Sequence, residues 1–243
     1  MKLKLNTPPF IMPAEVYLIP IAIAENGFHT LPAYIADIIN RCEVFFAEEL
    51  RTARRAFRKI DPSFDIDNRT WHEIKQAENN YASIFREAIE GNKIIGIVSE
   101  SGCPGIADPG QQLVALAHEA GIPVKPLSGP SSILLAMMAS GLNGQHFTFN
   151  GYLPITSNER MRKIKELEKK VLTENCSQLF IETPYRNQQL FESLLQTLQP
   201  AVKLCVAFNL TSTDEWVKTL TVAAWKKKPA SLPKAPAIFI IGN

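Results

Sequence analysis

Between residues 15 and 127, short runs rich in Val, Ile and Phe alternate with longer stretches whose apolar residues repeat at helical spacing. Few folds accept that pattern. Consecutive parallel strands need a crossover of a dozen or more residues, so alternating strand and helix signals specify a parallel sheet covered by helices. The strand signals are Glu15-Val16-Tyr17-Leu18-Ile19-Pro20, closed by a proline that cannot continue a central ladder, then Glu43-Val44-Phe45-Phe46-Ala47, then Lys93-Ile94-Ile95-Gly96-Ile97-Val98. Arg69-Thr70-Trp71-His72 reads as a short strand, and Ile122-Pro123-Val124-Lys125-Pro126-Leu127 as an extended segment placed at a sheet margin by its prolines. Between them, Leu31, Tyr34, Ile35, Ile38 and Ile39 share a helical face, 48–58 puts acids before bases as a helix dipole favours, and Tyr81, Ile84, Phe85, Ala88 and Ile89 mark a helix stopped by Gly91. The residues before Glu15 read as a frayed start.

Ser128-Gly129-Pro130-Ser131-Ser132 reads as a hinge into a new helix with Leu134, Leu135 and Met138 on its face and Gly141 past its end, so the chain divides into domains 1–127 and 128–243. The second half begins at His146-Phe147-Thr148-Phe149-Asn150-Gly151, followed by a long charged helix over 158–174. Strands are expected at 178–182, 203–208 and 237–242, a helix over 188–198, and no definite element between 216 and 228. Two late strands lack a long intervening helix, which points to a mixed sheet. The expected class is α/β: two α/β domains, the N-terminal sheet mainly parallel and the C-terminal one mixed.

The stretch Val98-Ser99-Glu100-Ser101-Gly102-Cys103-Pro104-Gly105-Ile106-Ala107-Asp108-Pro109-Gly110 joins a buried strand to an amphipathic helix pattern at Leu113, Val114, Leu116, Ala117 and Ala120. In open α/β sheets such loops lie at the carboxyl edge, where ligands bind, and its three glycines let backbone approach a ligand closely. Asp108 is placed to cap the helix and Pro109 to occupy its first turn. No Gly-x-Gly-x-x-Gly follows the first strand, which excludes the dinucleotide fingerprint of nicotinamide and flavin enzymes. With 26 basic and 24 acidic residues the chain has no global basic field, so any contact to RNA must be local. Arg51, Arg54, Arg55 and Arg58 share one helical face and offer such a site, if they are more than a solvated stripe. The four cysteines are scattered without a Cys-x-x-Cys pair, against a zinc site or a disulfide framework and in keeping with a reducing cytoplasm. No signal-peptide pattern or membrane-spanning run is present.

Several segments together resemble one family. Val98 to Gly110 is similar to the V-S-D-A-G-T-P-x-I-S-D-P-G loop of the tetrapyrrole (corrin/porphyrin) methylase superfamily, in particular its branch acting on the ribose 2′-oxygen of small-subunit ribosomal RNA. Ala47-Glu48-Glu49-Leu50-Arg51 resembles that branch's A-E-D-T-R, His72-Glu73 its H-E, and Pro126-Leu127-Ser128-Gly129-Pro130-Ser131 its P-L-P-G-P-S. Phe147-Thr148-Phe149-Asn150-Gly151-Tyr152-Leu153-Pro154 is similar to F-x-F-x-G-F-L-P, and Ile181-Glu182-Thr183-Pro184-Tyr185-Arg186 to Y-E-S-P-H-R. The motifs run in the same order along nearly the whole chain.

The scattered cysteines and the lack of a signal or membrane run point to a cytoplasmic protein, and the resemblance implies an S-adenosylmethionine-dependent methyltransferase, usually a homodimer, with the cofactor in a cleft between two α/β domains and no metal. Its matching positions place the cofactor against Pro20, the loop residues Glu100, Ser101, Gly102, Gly105, Ile106 and Asp108, the hinge residues Leu127, Ser128, Gly129, Ser131 and Ser132, and then Glu182, Pro236 and Ala237. Because the methyl group already sits on a sulfonium, transfer needs an acceptor held in line and the removal of one proton. Glu48, Glu49, Arg51 and His72 are the catalytic candidates, with Glu100 favoured for organising the cofactor. Each carboxylate has a plainer role as a cap or loop ligand, and His72 as a packed strand histidine. Cys103 reads as packing.

Departures fall on the acceptor side. Ile19-Pro20-Ile21-Ala22-Ile23-Ala24 stands where the branch has T-P-I-G-N-L, Asn209-Leu210-Thr211-Ser212 where it has E-L-T-K, and Lys234-Ala235-Pro236-Ala237 where it has K-G-E-x. The expected activity is methyl transfer to RNA. The alternatives are a tetrapyrrole or other small-molecule acceptor, and a non-catalytic paralogue that only binds S-adenosylmethionine or RNA.

Overall fold

A computed structural model describes residues 13–74 and 80–243. The start of the chain, read above as frayed, lies outside the described residues up to position 12. The chain forms two compact units, one of Met1–Ala22 with Phe28–Gly129, the other of Ile23–Gly27 with Pro130–Asn243.

The first unit is a parallel five-stranded sheet made of β1 (Glu15–Ile19), β2 (Val44–Ala47), β3 (Thr70–Glu73), β4 (Ile94–Val98) and β5 (Val124–Pro126), in the order β3-β2-β4-β1-β5. β5 is an edge strand, as Pro126 within it and Pro123 before it favour. Four helices serve as crossovers: α1 (Ile35–Arg41), α2 (Leu50–Ile60), α3 (Tyr81–Glu90) and α4 (Gln111–Glu119). Side chains alternate between faces, so the sheet feeds two cores. Tyr17, Ile19 and Phe45 pack on one face with Ile35, Ile39 and Phe57, while Val16, Phe46, Ile95 and Ile97 pack on the other with Phe85 and Leu113. The Phe45 ring covers Gly96, its register neighbour. A Cβ at Gly96 would lie 2.6 Å from that ring and 2.8 Å from Ile19, so glycine here makes room for an aromatic cluster in which Phe45 also stacks on Trp71 at 4.6 Å.

The second unit holds β6 (Phe147–Tyr152), β7 (Ser177–Glu182), β8 (Lys203–Phe208), β9 (Trp216–Thr221) and β10 (Ala237–Gly242), in the order β6-β7-β10-β8-β9. β6 and β7 are parallel, and every pairing of β8, β9 and β10 is antiparallel, giving the expected mixed sheet. α6 (Ser157–Glu174), α7 (Asn187–Thr197) and α8 (Val222–Lys227) are the helices of this unit that follow α5 (Ser132–Ser140). The larger core combines Ile164, Leu167, Phe191 and Trp225 with Phe180 and Phe239, and the other face packs Ala136 and Met137 against Leu179, Ile238 and Ile240. β10 is central and buried along its whole length.

The segment between 216 and 228 is ordered as β9 and α8. Helix α1 begins at Ile35, after a 3-10 turn over Gly27–Thr30, so Leu31 precedes it. On α5 the buried face is Ala136, Met137 and Ser140, and Leu134 and Met138 are exposed, a correction to the expected face. Pro130 precedes the N-cap Ser131, and Gly141 ends the helix in the left-handed conformation at φ 67°.

Candidate active site

All five strands of the first sheet are parallel, so their carboxyl ends lie along one edge and bring together segments far apart in sequence. β1 exits at Pro20, β2 at Glu48, β4 into the 99–110 loop and β5 at Leu127. Ile21 N–H donates to Gly102 O at 3.0 Å, the Ser99 hydroxyl donates to the same carbonyl at 2.9 Å, and Leu127 N–H donates to Leu18 O at 3.1 Å. Gly129 presses against Pro20 so closely that a Cβ would sit 2.3 Å from its ring. The Cys103 thiol donates to Gly129 O at 3.7 Å, and burial pushes its pKa up, consistent with packing rather than nucleophilic chemistry. Ser128 N–H donates to the Tyr34 hydroxyl at 2.9 Å.

The loop owes its shape to residues with positive φ and to one aspartate. Gly102, Gly105 and Ala107 have φ of 73°, 79° and 58°. Asp108 does not cap α4, whose N-cap is Gly110 without a side-chain cap bond, and Pro109 lies before the helix. Its Oδ1 accepts instead from Gly105 N–H at 3.1 Å and Gly110 N–H at 2.6 Å, an Asx turn that pins both ends of the strained segment. The sequence Asp-Pro-Gly signals that turn as well as it signals a cap, and only the start of α4 at Gln111 decides between them. Asp108 Oδ2 is buried without a hydrogen-bond partner.

Glu48 and Glu49, adjacent in sequence, take different roles. Glu49 is the N-cap of α2, accepting from Arg51 N–H at 3.0 Å and Thr52 N–H at 2.5 Å, and these bonds hold its pKa down. Glu48 accepts from Glu100 N–H at 2.9 Å. Its pKa is raised, chiefly by desolvation, with the negative charges of Asp108 and Glu100 adding to it. Glu48 and Asp108 line a cavity of about 350 Å³ with Ala107, Pro109, Gln111 and Gln112, and the Tyr81 hydroxyl holds Gln112 from α3. The cavity lies on the β2 side of the loop. Glu100, Ser101 and Ile106 are exposed on the loop itself, Ile106 by 55%.

His72 belongs to the edge strand β3, its ring 5.2 Å from that of Phe46, and burial lowers its pKa. Arg51 is exposed in the first turn of α2. Arg51, Arg55 and Arg58 face away from the buried Ala53, Ala56 and Phe57, as helical spacing requires. Arg54 departs from the expected stripe. It is half-buried with its guanidinium 5.3 Å from the Trp71 ring, and its Nε has no hydrogen-bond partner.

In the second unit, Ser131 and Ser132 open α5. Glu182, Pro236 and Ala237 meet at the carboxyl end of β7, where Ala237 is in register with Glu182 and Pro236 O accepts from Asn209 N–H at 2.9 Å. The Glu182 side chain is 1% exposed. Its Oε1 accepts from Thr183 N–H at 2.7 Å and from Arg186 Nε and Nη2 at 3.0 and 2.7 Å, and Oε2 is buried without a partner. Arg186 reaches back across the turn from the start of α7 to the last residue of β7, a partnership that no local spacing signals. Asn187, buried, donates through Nδ2 to Ala235 O at 2.7 Å and ties α7 to the approach to β10. Among the described residues no group of three or more His, Cys, Asp or Glu side chains is placed to hold a metal ion, and no helix is long and apolar enough to cross a membrane.

Two α/β units, a parallel sheet with loops gathered on its carboxyl edge and a mixed sheet with its last strand at the centre, are an architecture shared with solved methyltransferases. The solved structure of the methyltransferase CobJ matches with a TM-score of 0.62 at 16% identity, covering 95% of this chain and 94% of that one. The uroporphyrin-III C-methyltransferase of Thermus thermophilus, solved with S-adenosylhomocysteine, matches with a TM-score of 0.55 at 13% identity, covering 94% and 97%. The chain belongs to the tetrapyrrole (corrin/porphyrin) methylases, whose family model matches residues 17–225. Among its relatives are the ribosomal RNA small subunit methyltransferase I of Vibrio cholerae, 29% identical over 93% of this chain and 76% of that protein, and that of Escherichia coli O157:H7, 29% identical over 93% and 77%.

Proposed function

We infer that this protein is an S-adenosylmethionine-dependent methyltransferase acting on RNA of the small ribosomal subunit, at a ribose 2′-oxygen. The observation that carries the reading is the convergence of Pro20, Glu48, the 99–110 loop and Leu127-Ser128-Gly129 on one sheet edge, in a chain whose relatives are named as methyltransferases of small-subunit ribosomal RNA; the ribose 2′-oxygen comes from the motif resemblance alone. The residues present fit the cofactor. Its ammonium and sulfonium are cationic, and this edge offers two carboxylates, one with a buried oxygen lacking a donor. Backbone at Gly105 is open, with nothing within 4 Å of where a Cβ would stand, so a ligand can approach it closely.

When bound, S-adenosylmethionine supplies a methyl group on a positively charged sulfur, a good leaving group. The protein must hold acceptor and donor in line and take one proton from the attacking hydroxyl. The Asx turn of Asp108, the Ser99 bond and the Ile21 bridge hold the loop in a fixed shape for that task. We assign proton removal to Glu48. Glu49 is spent on the helix cap, and His72 sits two strands away from β4 on the sheet edge, whereas Glu48 is desolvated and faces the cavity beside the loop. A carboxylate whose pKa is raised is the better base near neutrality. For the second unit, Ser131, Ser132, Glu182, Pro236 and Ala237 stay proposed cofactor contacts by the motif resemblance, and Oε2 of Glu182, buried without a partner, is an acceptor open to a donor. A cytoplasmic homodimer belongs to the same proposal and is read by sedimentation.

The test joins calorimetry with S-adenosylmethionine to transfer of labelled methyl groups onto small subunits, or their naked RNA, from cells lacking this activity. Binding, followed by label that makes one internucleotide bond resistant to alkali, is the expected result. Absence of binding overturns the reading, and binding without transfer to any RNA leaves a non-catalytic protein.

A further inference from the structure

At the carboxyl end of β6 and β7, the second unit exposes two aromatic rings that no part of its core uses. Tyr185, in the turn between β7 and α7, is 79% exposed, and Tyr152, the last residue of β6, is 59% exposed. β6 and β7 are adjacent parallel strands with Tyr152 in register with Ile181, one residue before Glu182, so both rings leave the sheet at the same end. Their placement is built into the backbone. The β6–β7 register shifts between Phe149 and Tyr152, with Gly151 at φ 63°, and the Asn150 amide fills the irregularity by donating to Thr148 O, Gln178 Oε1 and Leu179 O. Bulges of this kind re-aim the side chain that follows. The segment leaving β6 is fixed by Arg160, 2% exposed, which donates from Nη1 to Ile155 O at 2.9 Å and from Nε to Ser193 Oγ at 3.2 Å. On Tyr185 the exposed Lys234 ammonium lies 5.3 Å from the ring centroid.

Large exposed aromatic faces on a rigid mount, with a cation beside one of them, match what unpaired nucleotides require: a π surface on which a base stacks and a positive charge for the neighbouring phosphate. We propose that Tyr152 and Tyr185 are a stacking platform for unpaired bases of the RNA acceptor, with Lys234 contacting its backbone. This rests on the RNA reading above and adds to it that the acceptor is engaged as a single strand.

The experiment measures binding of a labelled single-stranded transcript of small-subunit ribosomal RNA, and of a fully paired duplex of equal length, to the wild type and to Tyr152→Ala, Tyr185→Ala, Tyr152→Phe and Tyr185→Phe. Both positions are exposed, and an unchanged thermal transition confirms that each variant folds. Each alanine variant is expected to bind the single strand about fivefold to 150-fold more weakly, each phenylalanine variant to bind like the wild type, and the duplex to bind more weakly than the single strand. If the wild type binds and the alanine variants match it, or if the duplex binds as tightly, the platform is overturned while the RNA reading stands. If the wild type binds neither RNA, the platform is overturned, and the RNA reading is decided by methyl transfer to small subunits. If the alanine variants alter the sedimentation of the free protein and leave RNA affinity alone, the rings cover a second copy of the chain and the proposal is wrong.

Discussion

Substituting Gly129 by alanine tests how tightly the β5 exit is locked to the β1 exit. The new Cβ would lie 2.3 Å from Cβ and Cγ of Pro20, whereas carbon atoms settle at about 3.5–4.0 Å, so the two must part by more than about 1 Å. A proline ring cannot rotate away. Its own backbone follows Ile19, which is wholly buried and in register with Val98, so the strain falls on the 127–129 segment and its bond from Leu127 N–H to Leu18 O. Overpacking of this size costs about 1–3 kcal/mol, which at about 2–4 °C per kcal/mol lowers the unfolding transition by roughly 2–12 °C. The assay is scanning calorimetry of the full chain, with S-adenosylmethionine affinity by titration alongside. Gly105→Ala is the comparator. Its Cβ meets nothing within 4 Å, and it pays only for φ of +79°, about 1–2 kcal/mol. Replacing Pro20 by glycine in the Gly129→Ala background returns the missing space and should restore part of both losses, a coupling that independent sites would not show. A Gly129→Ala protein with a transition within about 1 °C of wild type and unchanged affinity would refute the reasoning.

Three further outcomes follow from the same edge. Glu48 has a raised folded pKa, so between the usual carboxylate value and that raised one the folded state holds more protons than the unfolded one, and stability falls as pH rises through that window. Glu48→Gln should therefore be more stable than wild type at pH 8 and lose that advantage near pH 4, with kcat down about 10²- to 10⁴-fold; an unchanged kcat places the base elsewhere. Glu49→Ala should cost about 1 kcal/mol for the lost cap. Because the Glu49 pKa is lowered, the two proteins should converge as pH falls below the usual carboxylate range, and a gap independent of pH would contradict the assignment. Replacing Arg51 and Arg58 by alanine should reduce the slope of log K against log salt for single-stranded RNA by about 1.4, whereas Arg54→Ala should leave the slope alone and cost about 0.5–1 kcal/mol of stability; equal slopes for all variants would make the stripe a solvated face.

Much of this was legible because strands and helices carry different periods. The runs at Val16, Phe45 and Ile95 with helical stretches between them pointed to a parallel sheet, and the late strands at 203–208 and 237–242, with no long helix between them, pointed to a mixed one, whose edge strand β9 the pattern did not show. What stayed hidden was decided by small shifts or distant partners. On α5, a pattern that ranks Leu134 and Met138 above Ala136 selects the wrong face, since the helix approaches its sheet through smaller residues. Arg54 has the spacing of the stripe but lies toward one flank, where Trp71 waits seventeen positions later, a neighbour that no local pattern reveals. Asp108 had two local roles open to it, and one residue in the start of α4 chose between them. Glu48 and Glu49 look alike in sequence and are separated only by which of them faces the loop after β4.

The order of the strands also sets a timetable. In each sheet the middle position goes to a late arrival: β4, the fourth strand of the first five, and β10, the last of the second five. β1 waits about 80 residues for β4, and β7 about 55 for β10, before its ladder can form. Neither sheet can be assembled outward from a local hairpin at its centre. During synthesis the pairs β2–β3, β6–β7 and β8–β9 can form early, but each keeps its inner edge unpaired until the middle strand emerges, and the first unit, whose strands all precede residue 130, can close its sheet while the second is still incomplete.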